Sequence, residues 1–254
     1  MASIVTLAER PDLAAAMWAM PNPWPAFMHQ DPVAGIFFGR LPDVFPEYQL
    51  LALDEQGEIV AKVNSVPFAW LGTDEDLPDR GWDAILERAF ADQRRGTAAT
   101  AVSLLEARVN PERRGTGMSY ELLEAARANT RRLGFEDLFG PVRPAAKSAE
   151  PHTPMAEYAA RVRDDGLPAD PWLRVHARVG ARMVKVCPLS MTVPGSLATW
   201  REWTGLPFDS SGPLEVPAAL VPVDVSVEHD HAVYVEPNVW MHHRLGERAL
   251  SRGR

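Results

Sequence analysis

The sequence is poor in cysteine, in positive charge and in long apolar runs, and each shortage excludes a class of protein. Its 254 residues contain one cysteine, Cys187, so neither an internal disulfide nor a cysteine-based zinc site can form. The longest apolar stretch near the N-terminus, residues 13–20, is too short to cross a bilayer, and it follows a mixed-charge segment where a signal peptide is basic. We therefore expect a cytoplasmic protein without a signal peptide or a membrane helix.

The charge balance is acidic, with 34 aspartates and glutamates against 26 lysines and arginines and a formal net charge of −8. Proteins that hold nucleic acid or an anionic membrane rely on a basic surface, and this chain carries the opposite sign overall. We therefore expect neither partner, although a local basic patch is compatible with the composition. The length and a hydrophobic fraction of 46% fit one elaborated domain.

Strand-like and helix-like patterns alternate along the chain and are punctuated by glycine and proline. An Ala-rich segment bracketed by prolines predicts a helix over residues 12–20, before the first strand. The other predicted elements, in chain order, are a hairpin over 48–53 and 59–70, a helix over 82–92, a central strand over 97–109, a helix over 118–133, a strand over 137–142, a loop over 143–154, helices over 155–163 and 171–179, a strand over 182–193, a helix over 196–203, and a hairpin over 223–227 and 231–235. This alternation predicts a mixed α/β sheet in a single domain spanning residues 1–254.

The most informative segment is the turn between the predicted central strand and the helix after it, residues 109–119. Gly115 and Gly117 let backbone N–H groups approach a ligand without a Cβ in the way. The start of the following helix adds unpaired donors and a partial positive charge, so the turn is suited to a phosphate. It is neither a Walker loop, because no Gly-Lys-Ser/Thr follows, nor a dinucleotide fingerprint, because the third glycine is missing.

This turn resembles the pyrophosphate-binding motif R/Q-x-x-G-x-G/A of the GNAT superfamily of acyl-CoA-dependent N-acyltransferases. The motif is read here as Arg114-Gly115-Thr116-Gly117-Met118-Ser119, with Ser119 where the family has Gly or Ala. The Val-x-Pro-x-x-Arg-Gly phrase over 109–115 is also similar to the family's approach to that loop. A solvent-facing turn is the alternative. The resemblance implies that the six residues 114–119 bind the pyrophosphate of acetyl-CoA or another acyl-CoA.

A second resemblance lies in the predicted helix over 171–179. The family places a tyrosine four residues before the glycine of a Tyr-x-x-x-Gly-Phe ending and uses it to protonate the departing thiolate of coenzyme A. Here the phrase falls on residues 176–181, so His176 stands at the tyrosine position and Gly180 at the glycine. Imidazole can carry the same proton at neutral pH. The alternative is a helix histidine whose ring is satisfied by its neighbours.

The resemblance covers about residues 48–193 and implies a GNAT-like fold with splayed central strands, N-terminal helices and a C-terminal extension over 195–254. In that fold the strand over 97–109 offers its backbone near Arg108 and Val109 to the pantetheine arm of the acyl-CoA. Glu106 lies beside that point and is a candidate base for the attacking ammonium group. An outward-facing acid or a partner for Arg108 is the alternative. We expect the extension to complete the sheet and to border the acceptor side.

The loop over 143–154 follows the fifth strand of the family's fold, where members often contact the acceptor. The resemblance therefore makes Arg143 and Lys147 candidate substrate-binding residues that could hold a carboxylate, with His152 beside them. Exposed bases on a polar loop are the alternative reading.

Several residues that often carry chemistry are not expected to do so here. The histidines at 229, 231, 242 and 243 fit structural or solvated side chains better than metal ligands, so no metal is predicted. Cys187 lies in a predicted strand and fits a buried inert thiol. The tryptophan-rich phrases over 170–174, 200–205 and 236–240 suit an acceptor pocket, core packing or a homodimer contact.

The resemblance implies an enzyme that moves an acyl group, expected to be acetyl, from acyl-CoA to an amine of a small molecule by direct transfer. His176 and Glu106 are its candidate catalytic residues. Two alternatives stay open: a non-catalytic acyl-CoA-binding or regulatory module, and an acyltransferase whose donor is a carrier protein or an aminoacyl-tRNA. The net charge of −8 disfavours the tRNA donor.

Overall fold

A mixed sheet of nine strands forms the centre of the computed structural model, which describes residues 3–246. Residues 1–2 and 247–254, which include the end of the predicted extension over 195–254, lie outside the described residues. The strands are β1 (Ser3–Thr6), β2 (Gln49–Leu53), β3 (Ile59–Phe68), β4 (Ala101–Val109), β5 (Asp137–Val142), β6 (Arg182–Gly195), β7 (Gly212–Leu214), β8 (Val223–Ser226) and β9 (His231–Arg244). The mixed α/β fold of the sequence analysis is thereby confirmed.

Helices connect these strands and cover both faces of the sheet. They are α1 (Ala14–Ala19), α2 (Pro32–Phe37), α3 (Leu41–Val44), α4 (Gly81–Arg95), α5 (Met118–Arg132), α6 (Met155–Ala159), α7 (Pro171–Arg178) and α8 (Leu197–Thr204). The prediction that a helix precedes the first strand is wrong, because Ser3–Thr6 pairs antiparallel with β2 ahead of α1. Over residues 3–246, every helix falls short of the length and apolar character needed to cross a membrane.

The sheet order is β1-β2-β3-β4-β5-β9-β8-β7, with β6 paired to β9. Neighbouring strands are antiparallel except for β4 and β5, which are parallel and share only the register pairs Val102–Leu138 and Ser103–Phe139. Beyond these pairs the two strands separate, which confirms the predicted splayed central strands. Pro141 in β5 has no N–H to extend the ladder, and this favours the separation.

A bulge in β4 accompanies the separation. Asn64 of β3 pairs with Glu106 and Ser65 pairs with Leu104, so Leu105 has no partner across the strand. A bulge bends its strand and re-aims the side chains beside it, here at the mouth of the gap between β4 and β5.

Apolar side chains on the two sheet faces form separate clusters. Ile85 and Phe90 of α4 belong to the cluster on one face, and Leu122 and Ala126 of α5 belong to the cluster on the other. The alternation of side chains along β4 serves both, because Ala101 and Leu105 join the first cluster while Val102 and Leu104 join the second. The sheet is therefore sandwiched between α4 and α5, and the gap between β4 and β5 opens inside the sandwich.

The last strand, β9, lies between β5 and β6 and pairs antiparallel with both. The predicted hairpin over 223–227 and 231–235 is confirmed by the pairing of β8 with β9, but β9 continues to Arg244. Pro237 is tolerated inside it because the β6 register is irregular there, between the pairs Cys187–Asn238 and Met191–Glu236.

Candidate active site

The glycine loop, residues 114–119, connects β4 to α5 and is open to solvent. Gly115 has a φ of 78° and Gly117, the N-cap of α5, a φ of 90°, a backbone region that L side chains rarely adopt. No atom of the described residues lies within 4 Å of where a Cβ would stand at either glycine. The surface of the loop is therefore bare backbone.

The donors on this surface are unpaired. Within residues 3–246 we find no hydrogen-bond acceptor for the backbone N–H groups of residues 115 to 119. They precede and begin a helix of 15 residues, whose N-terminus carries a partial positive charge. Five consecutive free donors at such a point fit a pyrophosphate, so the loop suits the nucleotide end of an acyl-CoA.

Three cavities lead from this loop through the sheet. The donor cavity, about 320 Å³, touches the loop at Arg114 and Ser119. The cleft cavity, about 140 Å³, lies between the diverging β4 and β5. The aromatic cavity, about 260 Å³, lies beyond it, against α1 and α2. Trp24 lines all three, and the cleft cavity shares further lining residues with each of the other two, so the three cavities adjoin one another; this row of cavities is called the path.

The donor cavity runs beside the end of β4. Ala107, Arg108 and Val109 line it opposite Trp172 of α7. Within the described residues β4 pairs with β5 only at Val102 and Ser103, so the edge of β4 that faces the gap has free backbone groups from Leu104 onward. An extended chain with amide groups can pair with such an edge.

His176 lines the cleft cavity and is buried, with 1% of its surface exposed. Its Nδ1 lies 3.0 Å from Nε2 of His243 on β9, which is equally buried. The ring of Trp172 meets that of His176 edge-on at 4.6 Å between centroids. Burial lowers the pKa of His176 to about 3, so its imidazole is neutral at physiological pH.

His243 is the residue of this site that the sequence analysis missed. A signal was present, because His242 and His243 are adjacent in a strand and must point to opposite faces. His242 stacks on Phe139 and hydrogen-bonds Asp137 at 2.8 Å, whereas His243 turns to α7. One of the two therefore reaches the cleft side of the sheet.

Glu106 lies in a buried charge cluster formed with Lys62 and Arg108. Lys62 Nζ is 2.9 Å from Glu106 Oε2, and the Arg108 guanidinium is hydrogen-bonded to Glu106 Oε1. Burial lowers the pKa of the Lys62 ammonium, and the Glu106 carboxylate opposes that effect. Glu106 lines the cleft and aromatic cavities, but both of its oxygens are engaged by cations. Glu106 is thus an ion-pair partner of Arg108, the alternative given by the sequence analysis, and its part as the catalytic base stays a prediction.

The two candidate substrate-binding residues lie in different surroundings. Arg143 lines the cleft cavity, where its Nε donates to Glu236 at 2.9 Å and its guanidinium lies 5.4 Å from the Trp24 ring. Lys147 is fully buried away from the three cavities and donates to the carbonyls of Glu150 and Leu220. Its ammonium ties the loop to the segment before β8 and does not reach the path, which corrects the predicted acceptor contact.

Four aromatic side chains line the aromatic cavity: Trp18, Trp24, Phe38 and Trp82. Trp18 is 36% exposed and has Lys62 Nζ 4.6 Å from its ring centroid. Of the predicted tryptophan phrases, the first contributes Trp172 to the path and the third contributes Asn238. Trp200 and Trp240 are fully buried core residues.

Two buried carboxyl groups support the floor of the aromatic cavity. Asp31 caps α2, which supplies Ala34 and Gly35 to the cavity, and Asp83 follows the cavity residue Trp82 in α4. Each has one oxygen without a partner in residues 3–246, and one shared proton would satisfy both oxygens. Burial and the neighbouring Asp31 carboxylate raise the pKa of Asp83 to about 8.

The remaining reactive types do not join the path. Cys187 is buried, and burial raises the pKa of its thiol to about 12, which suits an inert thiol. His152 pairs with Glu215 at 2.7 Å on the surface. In the part of the chain that the structure describes, no cluster of three or more His, Cys, Asp or Glu is arranged to hold a metal ion.

Comparisons with known proteins agree with this geometry, although no family model matches the chain. The arginine N-acetyltransferase avaD of Aspergillus versicolor is 35% identical over 276 residues, which cover 96% of this chain and 94% of that protein. The loading GNATL domain of CurA from Lyngbya majuscula superposes with a TM-score of 0.62 at 18% identity, covering 98% of this chain and 100% of that one. The GphF GNAT-like decarboxylase in complex with isobutyryl-CoA superposes with a TM-score of 0.57 at 20% identity, covering 96% of this chain and 100% of that chain.

The two solved structures share the fold, and the curated relative shares more than a third of its residues along nearly the whole chain. The chain therefore belongs to the GNAT superfamily and is an acyl-CoA-dependent N-acyltransferase.

Proposed function

We propose that the enzyme transfers an acetyl group from acetyl-CoA to a nitrogen of arginine, or of a small molecule that carries an arginine side chain. The row of adjoining cavities from the glycine loop through the cleft to the aromatic cavity is the observation that carries the proposal, because it gives donor and acceptor separate places on either side of the cleft. Arginine is proposed from the likeness to avaD. The cytoplasmic location and the homodimer stay predictions.

The donor would bind along the path in the order that its chemistry dictates. The free N–H groups of residues 115 to 119, with Arg114 beside them, would hold the pyrophosphate, and the free edge of β4 at Arg108 and Val109 would pair with the pantetheine amides. The thioester supplies an activated acyl group when bound, and the gap between β4 and β5 receives it. The cleft cavity of about 140 Å³ favours a short acyl chain, which is why we propose acetyl.

The aromatic cavity would hold the acceptor. A guanidinium group is planar and stacks on aromatic rings, and Trp18, Trp24 and Trp82 line the cavity. Lys62 and Arg143 already lie against the Trp18 and Trp24 rings, so these rings accept cations. Glu106 lies in the wall but is held by Lys62 and Arg108, so stacking on the rings rather than ion pairing is proposed as the main contact. The walls also exclude water from the thioester, and this limits hydrolysis.

The test is release of free coenzyme A thiol from acetyl-CoA with a set of acceptors: L-arginine, agmatine, L-lysine and L-citrulline. We expect turnover with arginine or agmatine, a product heavier by one acetyl group, and little turnover with citrulline, which has the shape of arginine without its charge. Faster turnover with isobutyryl-CoA would contradict acetyl as the donor. Tight binding of acetyl-CoA without transfer to any amine would favour the binding-module alternative.

A pair of variants tests whether the acceptor binds in the aromatic cavity. Trp18→Ala removes a face of the aromatic cavity and should raise KM for arginine about tenfold, leaving KM for acetyl-CoA unchanged, because a cation–π contact is worth ~1 kcal/mol or more. Trp70→Ala is the matched control, since Trp70 is also half-buried but packs on Phe139 outside the path. Equal effects of the two changes would remove the aromatic cavity from the proposal.

A further inference from the structure

We propose that His243 and Arg127 hold His176 in the tautomer that carries its proton on Nε2, so that the cleft receives a neutral hydrogen-bond donor for the negative charge of the reacting thioester. His176 is then a catalytic residue, while His243 and Arg127 are positioning residues. The inference rests on the proposed function, because the thioester must lie in the cleft.

Proton counting limits the histidine pair to two neutral arrangements. Each imidazole has one N–H and one bare nitrogen, and the contact between His176 Nδ1 and His243 Nε2 uses one of each. His176 Nε2 and His243 Nδ1 are the outer ends of the pair, and neither has a partner in the described residues. One end must therefore carry a proton and the other must be bare. The cleft meets a donor in one arrangement and an acceptor in the other.

The positive charge of Arg127 favours one of the two arrangements of the histidine pair. Arg127 of α5 reaches the end of α7, where its guanidinium lies 3.9 Å from the place a Cβ would take at Gly180, and Glu124 pairs with its outer nitrogen at 2.7 Å. The Nε of Arg127 is buried without an acceptor in residues 3–246, and its positive charge contributes to lowering the pKa of His243. A cation favours a bare nitrogen over an N–H pointing at it, so His243 keeps its proton on Nε2 and donates it to His176 Nδ1. His176 then carries its own proton on Nε2, the nitrogen left for the cleft.

The His176 Nε2–H is an uncharged donor, so it acts by hydrogen bonding and not by giving up its proton. Burial lowers the pKa of His176 to about 3, so the charged imidazolium is not available as a proton source at neutral pH. Neutral imidazole is a far weaker acid than a thiol, whose pKa is about 8.5, so it does not give up its proton to the thiolate. The general-acid role expected from the tyrosine position is replaced by hydrogen bonding, as with other neutral histidines that polarise a reacting group.

The step balances without another reagent. The acceptor nitrogen first gives a proton to solvent, and in its neutral form it makes a bond to the acyl carbon while the C–S bond breaks with its electron pair on sulfur. His176 Nε2–H donates a hydrogen bond to the charge as it develops and keeps its proton. The nitrogen loses its second proton to solvent after the bond has formed, and the thiolate is released or takes a proton from solvent.

The first test reads the tautomer directly and needs no acceptor. In protein with 15N-labelled histidine, NMR should show the His176 proton on Nε2 and a bare Nδ1, and the His243 proton on Nε2. A bare His176 Nε2 overturns the proposal. In Arg127→Met the preference should weaken, so both arrangements become populated, whereas His242→Gln, on the opposite face of the same strand, should leave the spectrum of His176 unchanged.

The second test follows rate. In His243→Gln the side-chain amide can still donate to His176 Nδ1, so kcat should stay within about threefold of wild type. His243→Leu removes the donor, and His176→Phe removes the catalytic N–H, so kcat should fall about 10²-fold while KM for acetyl-CoA stays constant, as when an oxyanion donor is lost. Equal rates for the Gln and Leu variants overturn the positioning role. If wild type acetylates none of the four acceptors, the proposed function fails, and the NMR spectrum alone decides the tautomer.

Discussion

The glycine loop and the charge cluster of Lys62, Glu106 and Arg108 both lie near the end of β4, and they differ in whether their polar groups are paired. The loop leaves five backbone donors without partners, the first three of them on exposed residues. The cluster buries three charged side chains and pairs their charges with one another. In this part of the molecule, exposed unpaired backbone groups are suited to bind a ligand, while buried ion pairs stabilise the strands behind it. Three sets of variants test this contrast.

The largest effect is expected from Glu106→Gln, which leaves Lys62 and Arg108 buried without a counter-charge. Loss of one partner from a buried ion cluster costs about 3–5 kcal/mol, so urea unfolding should show a marked drop in stability. Glu112→Gln, a change of the same kind at an exposed position, is the control and should unfold like wild type. A stable Glu106→Gln protein with a strongly reduced kcat would instead restore Glu106 as the catalytic base.

The glycine loop is tested by Gly117→Val. A β-branched side chain is strained at a φ of 90° and covers the bare backbone, so calorimetry should show acetyl-CoA binding weakened by about 100-fold or more. Gly96→Val is matched in strain, because Gly96 ends α4 at a φ of 66° in equally open space but far from the path. Both variants should lose stability, and only the first should lose the ligand. If folded Gly117→Val protein binds acetyl-CoA with wild-type affinity, the pyrophosphate does not bind at the glycine loop.

The smallest effect is a pH-dependent one at the carboxyl pair of Asp31 and Asp83. The raised pKa of Asp83, about 8, means that above the ordinary aspartate range the folded chain holds a proton that the unfolded chain has lost. Stability must therefore fall as pH rises through that window. Asp83→Asn mimics the protonated form at every pH, so its advantage in Tm over wild type should grow by ~3–6 °C, or about 1.4 kcal/mol, for each pH unit between the ordinary aspartate pKa and about pH 8. Parallel pH profiles for the two proteins would show that the pair holds no such proton.

The sequence predicted those features of the site that depend on residues close together in the chain. The glycine loop was accessible because its geometry is set by two glycines and the helix that follows them, all within a few residues. The splayed strands followed from the resemblance. Lys147 could not be assigned correctly, since the fate of its ammonium depends on the carbonyl of Leu220, 73 residues away.

The histidine pair shows the same limit more sharply. The position of His176 was predicted from its distance to Gly180, but its role depends on His243, 67 residues further along. No spacing within one segment reports such a contact. Trp24 is a similar case, because a tryptophan in an irregular N-terminal segment lines all three cavities only through the packing of that segment over β4.

The position of β9 in the sheet also sets the order in which the nascent chain can fold. Of the nine described strands it is the last to leave the ribosome, yet β5, β6 and β8 all pair with it. Until it emerges, the nascent chain exposes the edges that these three strands offer it, and contacts of long sequence separation form slowly. His243 lies in the same strand, so the proposed N–H donor in the cleft is assembled only after β9 has paired. The glycine loop can therefore fold before the proposed donor is in place.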